Sequence, residues 1–451
     1  MKPIANRMRR PGALARVAAA LAITTALALT AAGCRPVSPT GGPETKAPGM
    51  DGSATSMLAP DGSASPNASA PATAAEARDL AGDARALGGL AIVLDLQWQS
   101  VGRQTQALVA SVGSLCDEPT VEHLEQARQN WRLARRAWME AQVYEIGPMP
   151  GLRLKAQMDW WPANPERMEA LIAGDEDLTP EFIGRQGSTV KGLFALERLL
   201  WATDRDDAAL LTGLDAAGGP AAERRCRYAA GAAEAMDRSW RQADAVWRGS
   251  PSDEAAPGSG TTAATAPTAL AGGPGGGLTP PLQYFASRQE AINAVVNRLV
   301  FVSQELDGML AKPLGRRTGG TPQPETAQGT LSGSTVASVV DGLCGIRALW
   351  IGDRSAHCTE PDTAAHDAVF PALGDLVRAR SPETADHVSA ALTAAIAAVR
   401  GLPEPFTSTL AQDPARVEAA FQAEKALERA LSTEVVGVLG VNLTFNANDG
   451  D

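Results

Sequence analysis

The sequence predicts an all-α protein of two helical-bundle domains, with an internal duplication expected between them. Three observations predict it. Ala- and Leu-rich segments repeat with helical spacing and carry their charges on the opposite side. β-Branched alternating runs and hairpin turns are almost absent. Finally, a Gly-, Pro- and Thr-rich stretch, GSPSDEAAPGSGTTAATAPTALAGGPGGGLTPP, divides the helical part at 249–281, the composition of a domain boundary.

The spacing predicts helices over 76–114, 120–146, 188–203 and 220–248 in the first half. In the second half it predicts 283–312, 335–352, 361–378, 382–401 and 413–440. Each half then holds the four or so helices that close a bundle, at 76–248 and 282–445. A further low-complexity run, RRTGGTPQPETAQGTLSG at 316–333, reads as a long loop inside the second domain. The halves also echo each other: VKGLFALERLLW (190–201) is similar to VDGLCGIRALWI (340–351), which is what suggests the duplication.

Upstream of the bundles lies an export signal. Lys2, Arg7, Arg9, Arg10 and Arg16 precede an apolar run that ends in small residues directly before Cys34. This order of charged, apolar and small-residue regions is that of a secretory signal. The cysteine makes it a lipoprotein signal over 1–33, although Ala31 stands where Leu is commoner. A membrane anchor would explain the length of the run but not its AAGC ending. The expected product is a palmitate-bearing lipoprotein of the cell envelope, attached to the membrane through lipid on Cys34. Arg35 favours the outer membrane, facing the periplasm. Residues 34–75, poor in large apolar side chains, form a disordered tether, and 446–451 a tail.

Without the five signal-segment charges, 40 basic residues fall to 35 against 51 acidic, and the net charge from −11 to −16. That excludes nucleic acid as an expected partner. It is compatible with a cationic ligand, or simply with a solvated acidic surface. The cysteines beyond Cys34 are Cys116, Cys226, Cys344 and Cys358. In an oxidising compartment they suggest two disulfides. Of three possible pairings, Cys116–Cys226 and Cys344–Cys358 keep each bond within one domain.

One constellation carries chemistry. At 100° per residue, Glu197 falls in the middle of the apolar arc formed by Val190, Leu193, Phe194, Leu200 and Trp201. A carboxylate on a buried face is costly unless paired, metal-bound or protonated; the alternative is a Glu at the bundle rim reaching water. Gly192 in the same helix suggests close approach of another backbone. In WRLARRAWMEAQVYEIGP (131–148), Arg135 and Gln142 flank the face of Trp131 and Trp138. Arg135 is a plausible guanidinium partner for Glu197, and Gln142 a further donor. Under duplication, Arg347 stands in the place of Glu197, so a Glu197–Arg347 pair across the junction is a second possibility. The Trp stripe is expected to be core rather than a ligand platform.

Together with DWWPANPERMEALI (159–172), KGLFALERLLW (191–201) and the ending LGVNLTFNANDGD, these residues resemble the imelysin-like family of bacterial envelope proteins. The resemblance implies a two-domain helical fold, an envelope location and, in several members, a link to iron uptake. The family's GxHxxE motif implies a metallopeptidase. Here Gly192 and Glu197 match, but Phe194 stands in place of the His, and Gln142 in place of a Glu. Phe is no metal ligand and Gln a poor one. His123, His357, His366 and His387 are scattered without ligand spacing, and no GxSxG, P-loop or dinucleotide fingerprint occurs. The terminal NANDGD lacks the distal Glu of a calcium loop. No catalytic residue, metal or cofactor is therefore expected. The expected role is non-catalytic binding of a small ligand or envelope partner, around Glu197, Arg135, Gln142 and Arg347 with Trp138 and Trp161 nearby. The alternatives are a metal-dependent peptidase and a purely structural scaffold.

Overall fold

The structure, a computed structural model, describes residues 74–201, 206–249, 279–353 and 370–444. The expected signal segment with Cys34, almost all of the tether and of the 249–281 boundary, the tail, Cys358, His357 and His366 lie outside the described residues. Every described residue belongs to one compact unit, Ala70–Asp451.

That unit is all-α, with no strand among the described residues. Its first part runs α1 (Ala74–Asp117), α2 (Val121–Glu140), α3 (Leu154–Met158), α4 (Pro165–Ala173), α5 (Pro180–Arg185), α6 (Gly192–Leu200), α7 (Asp207–Thr212) and α8 (Pro220–Trp247). The second part runs α9 (Arg288–Ala311), α10 (Thr335–Ile351), α11 (Leu373–Arg380), α12 (Pro382–Arg400), α13 (Phe406–Gln412), α14 (Pro414–Arg429) and α15 (Val436–Leu439). A π-helical segment, Ala430–Val435, joins the last two. No described helix is long and apolar enough to cross a membrane.

Local chemistry sets many of the starts. Asn164, Thr179, Ser381 and Asp413 each cap a helix through a side-chain oxygen, and each is followed by Pro at the first helical position. The cap satisfies a free N–H, while Pro lacks the N–H that would otherwise be unpaired there. Two expected helices are shorter than the periodicity suggests. The α-helix of the second segment stops at Glu140 and continues as a 3-10 turn over Gln142–Tyr144. The third starts only at Gly192, because Lys191 is extended and Gly192 has φ +80°. Of the expected 361–378 helix, the described part begins at Leu373.

The core is continuous and aromatic. Trp98, Trp131, Trp138, Trp247, Tyr144 and Tyr228 are fully buried, and Trp98 stacks on Trp247 with centroids 5.5 Å apart. A disulfide joins Cys116 at the end of α1 to Cys226 in α8. Cys344 is also disulfide-bonded. Helices from both sides of the 249–281 segment pack together, most extensively α2 on α10. Gly345 permits that approach: a Cβ there would lie 2.1 Å from the Glu140 carbonyl oxygen. The two similar segments both become helices against α2, nine residues long in α6 and seventeen in α10.

Candidate functional site

The α6 helix is pinned at its start. Trp131 Nε1 donates to the Leu193 carbonyl at 2.7 Å, and the Tyr228 hydroxyl donates to that of Val190. Gly192 sits against α3, where a Cβ would stand 2.6 Å from the Met158 carbonyl oxygen. With φ +80° as well, the position suits only glycine.

This register carries Glu197 inward, to 3% exposure. Its Oε1 accepts from the Ser332 backbone N–H at 3.0 Å and from the Ser332 hydroxyl. Burial pushes the Glu197 carboxyl above its ordinary range. The Ser332 hydrogen bonds pull it back, and more weakly so do the charges of Arg135 and Arg198. Ser332 belongs to the low-complexity 316–333 loop, so this loop is clasped to α6 by the very carboxylate that the helical pattern places inside.

The expected guanidinium partners of Glu197 are occupied elsewhere. Arg135, 2% exposed, pairs with the buried Asp159 that follows α3. Its Nε donates to Ser338 Oγ at 3.2 Å and its Nη2 to Gln328 Oε1 at 3.4 Å. Its guanidinium lies 4.8 Å from the centroid of the Phe194 ring, a cation–π arrangement. Phe194 therefore serves as a platform for Arg135 at the position of the family's His. Arg347 pairs with Asp353 at 3.7 Å. Gln142, displaced from the α2 face by the 3-10 turn, donates to the Trp138 carbonyl at 2.8 Å and accepts at its own carbonyl from Arg298 at 2.9 Å. Trp138 is fully buried against Tyr144, so it belongs to the core. Trp161 is half-buried beside the exposed Trp160.

Arg135 and Gln142 do meet in one place, a cleft of about 480 Å³ between the α2–α3 region, α9 and the 316–333 loop. Its buried end holds the Arg135–Asp159 pair. Around it stand Lys155, paired with Glu305, and Lys425, which donates to Asp307 at 3.0 Å and to Glu428 at 3.1 Å. Burial raises the Asp307 carboxyl, with Lys425 opposing the shift. Lys312 and Arg317 line the exposed side. Glu197 is not among the lining residues; it acts on the cleft only through the loop it holds. Asp159, Gln328, Ser332 and the α9 charges carry no motif that would have singled them out. Asp159 alone lies within a segment of the family resemblance.

The donor set does not fit a metal ion. Among the described residues no three His, Cys, Asp or Glu side chains are grouped so that they could hold one. His123 contacts the Glu118 carbonyl at 2.7 Å and His387 the Glu434 carboxylate at 2.8 Å, both at the surface.

Comparison with known proteins agrees with this architecture. A curated relative, iron-regulated protein A of Synechococcus elongatus, is 31% identical over 84 residues. That stretch is 19% of this chain, and the chain spans only 22% of that relative's length. Two crystal structures share the fold. One, described as an iron-regulated protein A precursor from Parabacteroides distasonis, superposes with a TM-score of 0.58 at 14% identity, over 78% of this chain and 95% of that one. The other, an imelysin-like protein from Psychrobacter arcticum, gives 0.54 at 16% identity, over 81% and 98%. The imelysin family model matches residues 97–433, three-quarters of the sequence, and the chain belongs to the imelysin family.

Proposed function

We propose that this protein is a non-catalytic ligand-binding lipoprotein of the bacterial envelope, anchored through Cys34 and acting in an iron-acquisition setting. The observation that carries the binding role is the cleft of about 480 Å³ whose inner end is a buried, hydrogen-bonded ion pair, Arg135–Asp159. Pockets of roughly 300–1,000 Å³ with a few fixed polar groups are the usual form of small-molecule sites. The Phe194 ring beneath Arg135 and the Glu197 clasp on the 316–333 loop hold those groups in place before a ligand arrives. The iron setting is supported by the names of the iron-regulated relatives.

The test is a thermal-shift screen of the purified protein with ferric, zinc and copper salts and with small charged and neutral solutes. It is repeated on Gln328→Trp, which fills the cleft. A stabilising ligand whose effect disappears in that variant supports the role; no shift from any solute removes it. For the anchor, labelled palmitate should be incorporated by the wild type and not by Cys34→Ala. Growth of a deletion strain that is impaired only under iron limitation would support the iron setting, and unimpaired growth would remove it.

A further inference from the structure

We infer that the cleft takes a small organic polyanion, a molecule carrying two or more carboxylate or phosphate groups. This rests on the reading of the cleft as a ligand site and adds the class of ligand. The protein as a whole is acidic, with a formal net charge of −11, so a cationic or neutral ligand would be the expectation from composition. The cleft departs from that balance. Among the described residues, five cationic side chains line it against three anionic ones.

The pairing within it is uneven. Asp159 is taken by Arg135, Glu305 by Lys155 and Asp307 by Lys425. Lys312 and Arg317 form no ion pair with a described residue, although both line the cleft. They are also near enough to repel. After burial, the charges of Arg317 and then Lys155 hold the Lys312 ammonium below its ordinary range, with Glu305 opposing more weakly, and Arg317 in turn acts weakly on Asp307. Two unpaired cations facing one cavity are costly together and become favourable when an anion lies between them.

The loop geometry places this charge deliberately over α9. Arg316, the neighbour of Arg317, is tied to Glu418 on α14 by a hydrogen bond from Nε at 2.9 Å and an ion-pair contact of Nη2 at 2.6 Å. Gln323 N–H closes the loop onto the Pro313 carbonyl at 2.7 Å. The Arg317 Nη2 then lies beside Gly308 of α9, 3.9 Å from where a Cβ would stand, an ordinary van der Waals distance that sets the guanidinium against α9 at the exposed side of the cleft. Deeper in, Arg135, already held by Asp159, Ser338 and Gln328, is a nine-tenths-buried donor group beside the cavity. An anion entering would meet Lys312 and Arg317 first and the amide of Gln328 beyond them.

Calorimetric titration of the full chain with tricarballylate, glucose 6-phosphate, glucose and spermidine tests this. The expected result is binding of at least one of the two anions, weakened by added salt, and none of glucose or spermidine. Tricarballylate alone would identify carboxylates as the source of charge, and glucose 6-phosphate alone would identify phosphate. The exposed double variant Lys312→Gln/Arg317→Gln should weaken the anion by about tenfold or more, the loss expected for a charge-assisted hydrogen bond. Anion binding unchanged in that variant overturns the proposal. Glucose or spermidine binding without the anions, and lost in Gln328→Trp, overturns it while leaving the cleft as a ligand site. Binding of no probe overturns the polyanion proposal, while the reading of the cleft as a ligand site stands or falls by the thermal-shift screen.

Discussion

Ser332 closes over Glu197, giving its backbone N–H and its hydroxyl to the same carboxylate oxygen although 135 positions separate the two residues. This contact turns a buried acid in the first half of the chain into the anchor of a loop in the second. Hydrogen bonds to a charged group contribute about 1.5–3 kcal/mol each. Ser332→Ala keeps the backbone donor and loses the hydroxyl, so unfolding in urea should show a loss in that range. The pH dependence has a definite sign. The folded-state Glu197 carboxyl titrates above its unfolded value, so the folded state binds more protons between the two. Stability contributed by Glu197 is complete below the unfolded value and is lost as pH rises through the folded one. Glu197→Gln should flatten that part of the profile, and an unaltered slope would contradict this assignment.

Arg135 and Asp159 make a second, independent prediction. Removing one member of a buried pair leaves the other charged and unpaired, at a cost of roughly 3–5 kcal/mol. Asp159→Leu should therefore destabilise strongly, while Asp159→Leu with Arg135→Met should recover much of the loss. Chemical denaturation of the single and double variants measures the coupling. Equal losses in the two would mean that the pair does not interact as described.

Gly192 combines a positive φ with a carbonyl oxygen 2.6 Å from the absent Cβ. Gly192→Ala must then strain the backbone and push α6 away from α3. An unstrained Gly→Ala replacement stabilises by about 0.4–1 kcal/mol; here the sign reverses and a loss of more than ~1 kcal/mol is expected, which calorimetric melting would show. A variant as stable as the wild type would mean that the α3–α6 contact is looser than the geometry indicates.

Glu424 is a buried acid with both carboxylate oxygens unsatisfied among the described residues. It is 1% exposed, and burial followed by the Asp307 charge raises its titration well above the ordinary range. Replacing it by the apolar Met should stabilise the protein by about 1–3 kcal/mol, the usual penalty of an unsatisfied buried polar group. Because the raised carboxyl costs more as pH climbs toward its folded value, the gain should be larger at alkaline than at acidic pH. Melting curves across that range would reveal a gain that is absent or runs the other way.

The helical class and the apolar arc around Glu197 follow from residues a few positions apart, while the burial of Glu197 and the need for glycine at 192 rest also on tertiary contacts, with Ser332 and with the Met158 carbonyl. Periodicity and capping act over one or two turns, and the Asn164–Pro165 or Ser381–Pro382 type of start is visible in the bare chain. The Cys116–Cys226 bond is the pairing expected from keeping each disulfide within one domain, and the packing of α1 against α8 brings the two cysteines together. What the local pattern could not supply was the partner of each charge. Arg135 and Gln142 were legible as polar groups flanking a helix face, but Arg135 faces Asp159 rather than Glu197, Arg347 faces Asp353, and Gln142 left its helix at the 3-10 turn. The serine that meets Glu197 lies in a Gly-, Thr- and Pro-rich loop with no periodicity to mark it. Local sequence thus determined the helices and their apolar faces, because those follow from helical spacing. Tertiary structure alone decided which of them meet, because hydrogen bonds and ion pairs act over about 3 Å between segments that only the packed helices bring together.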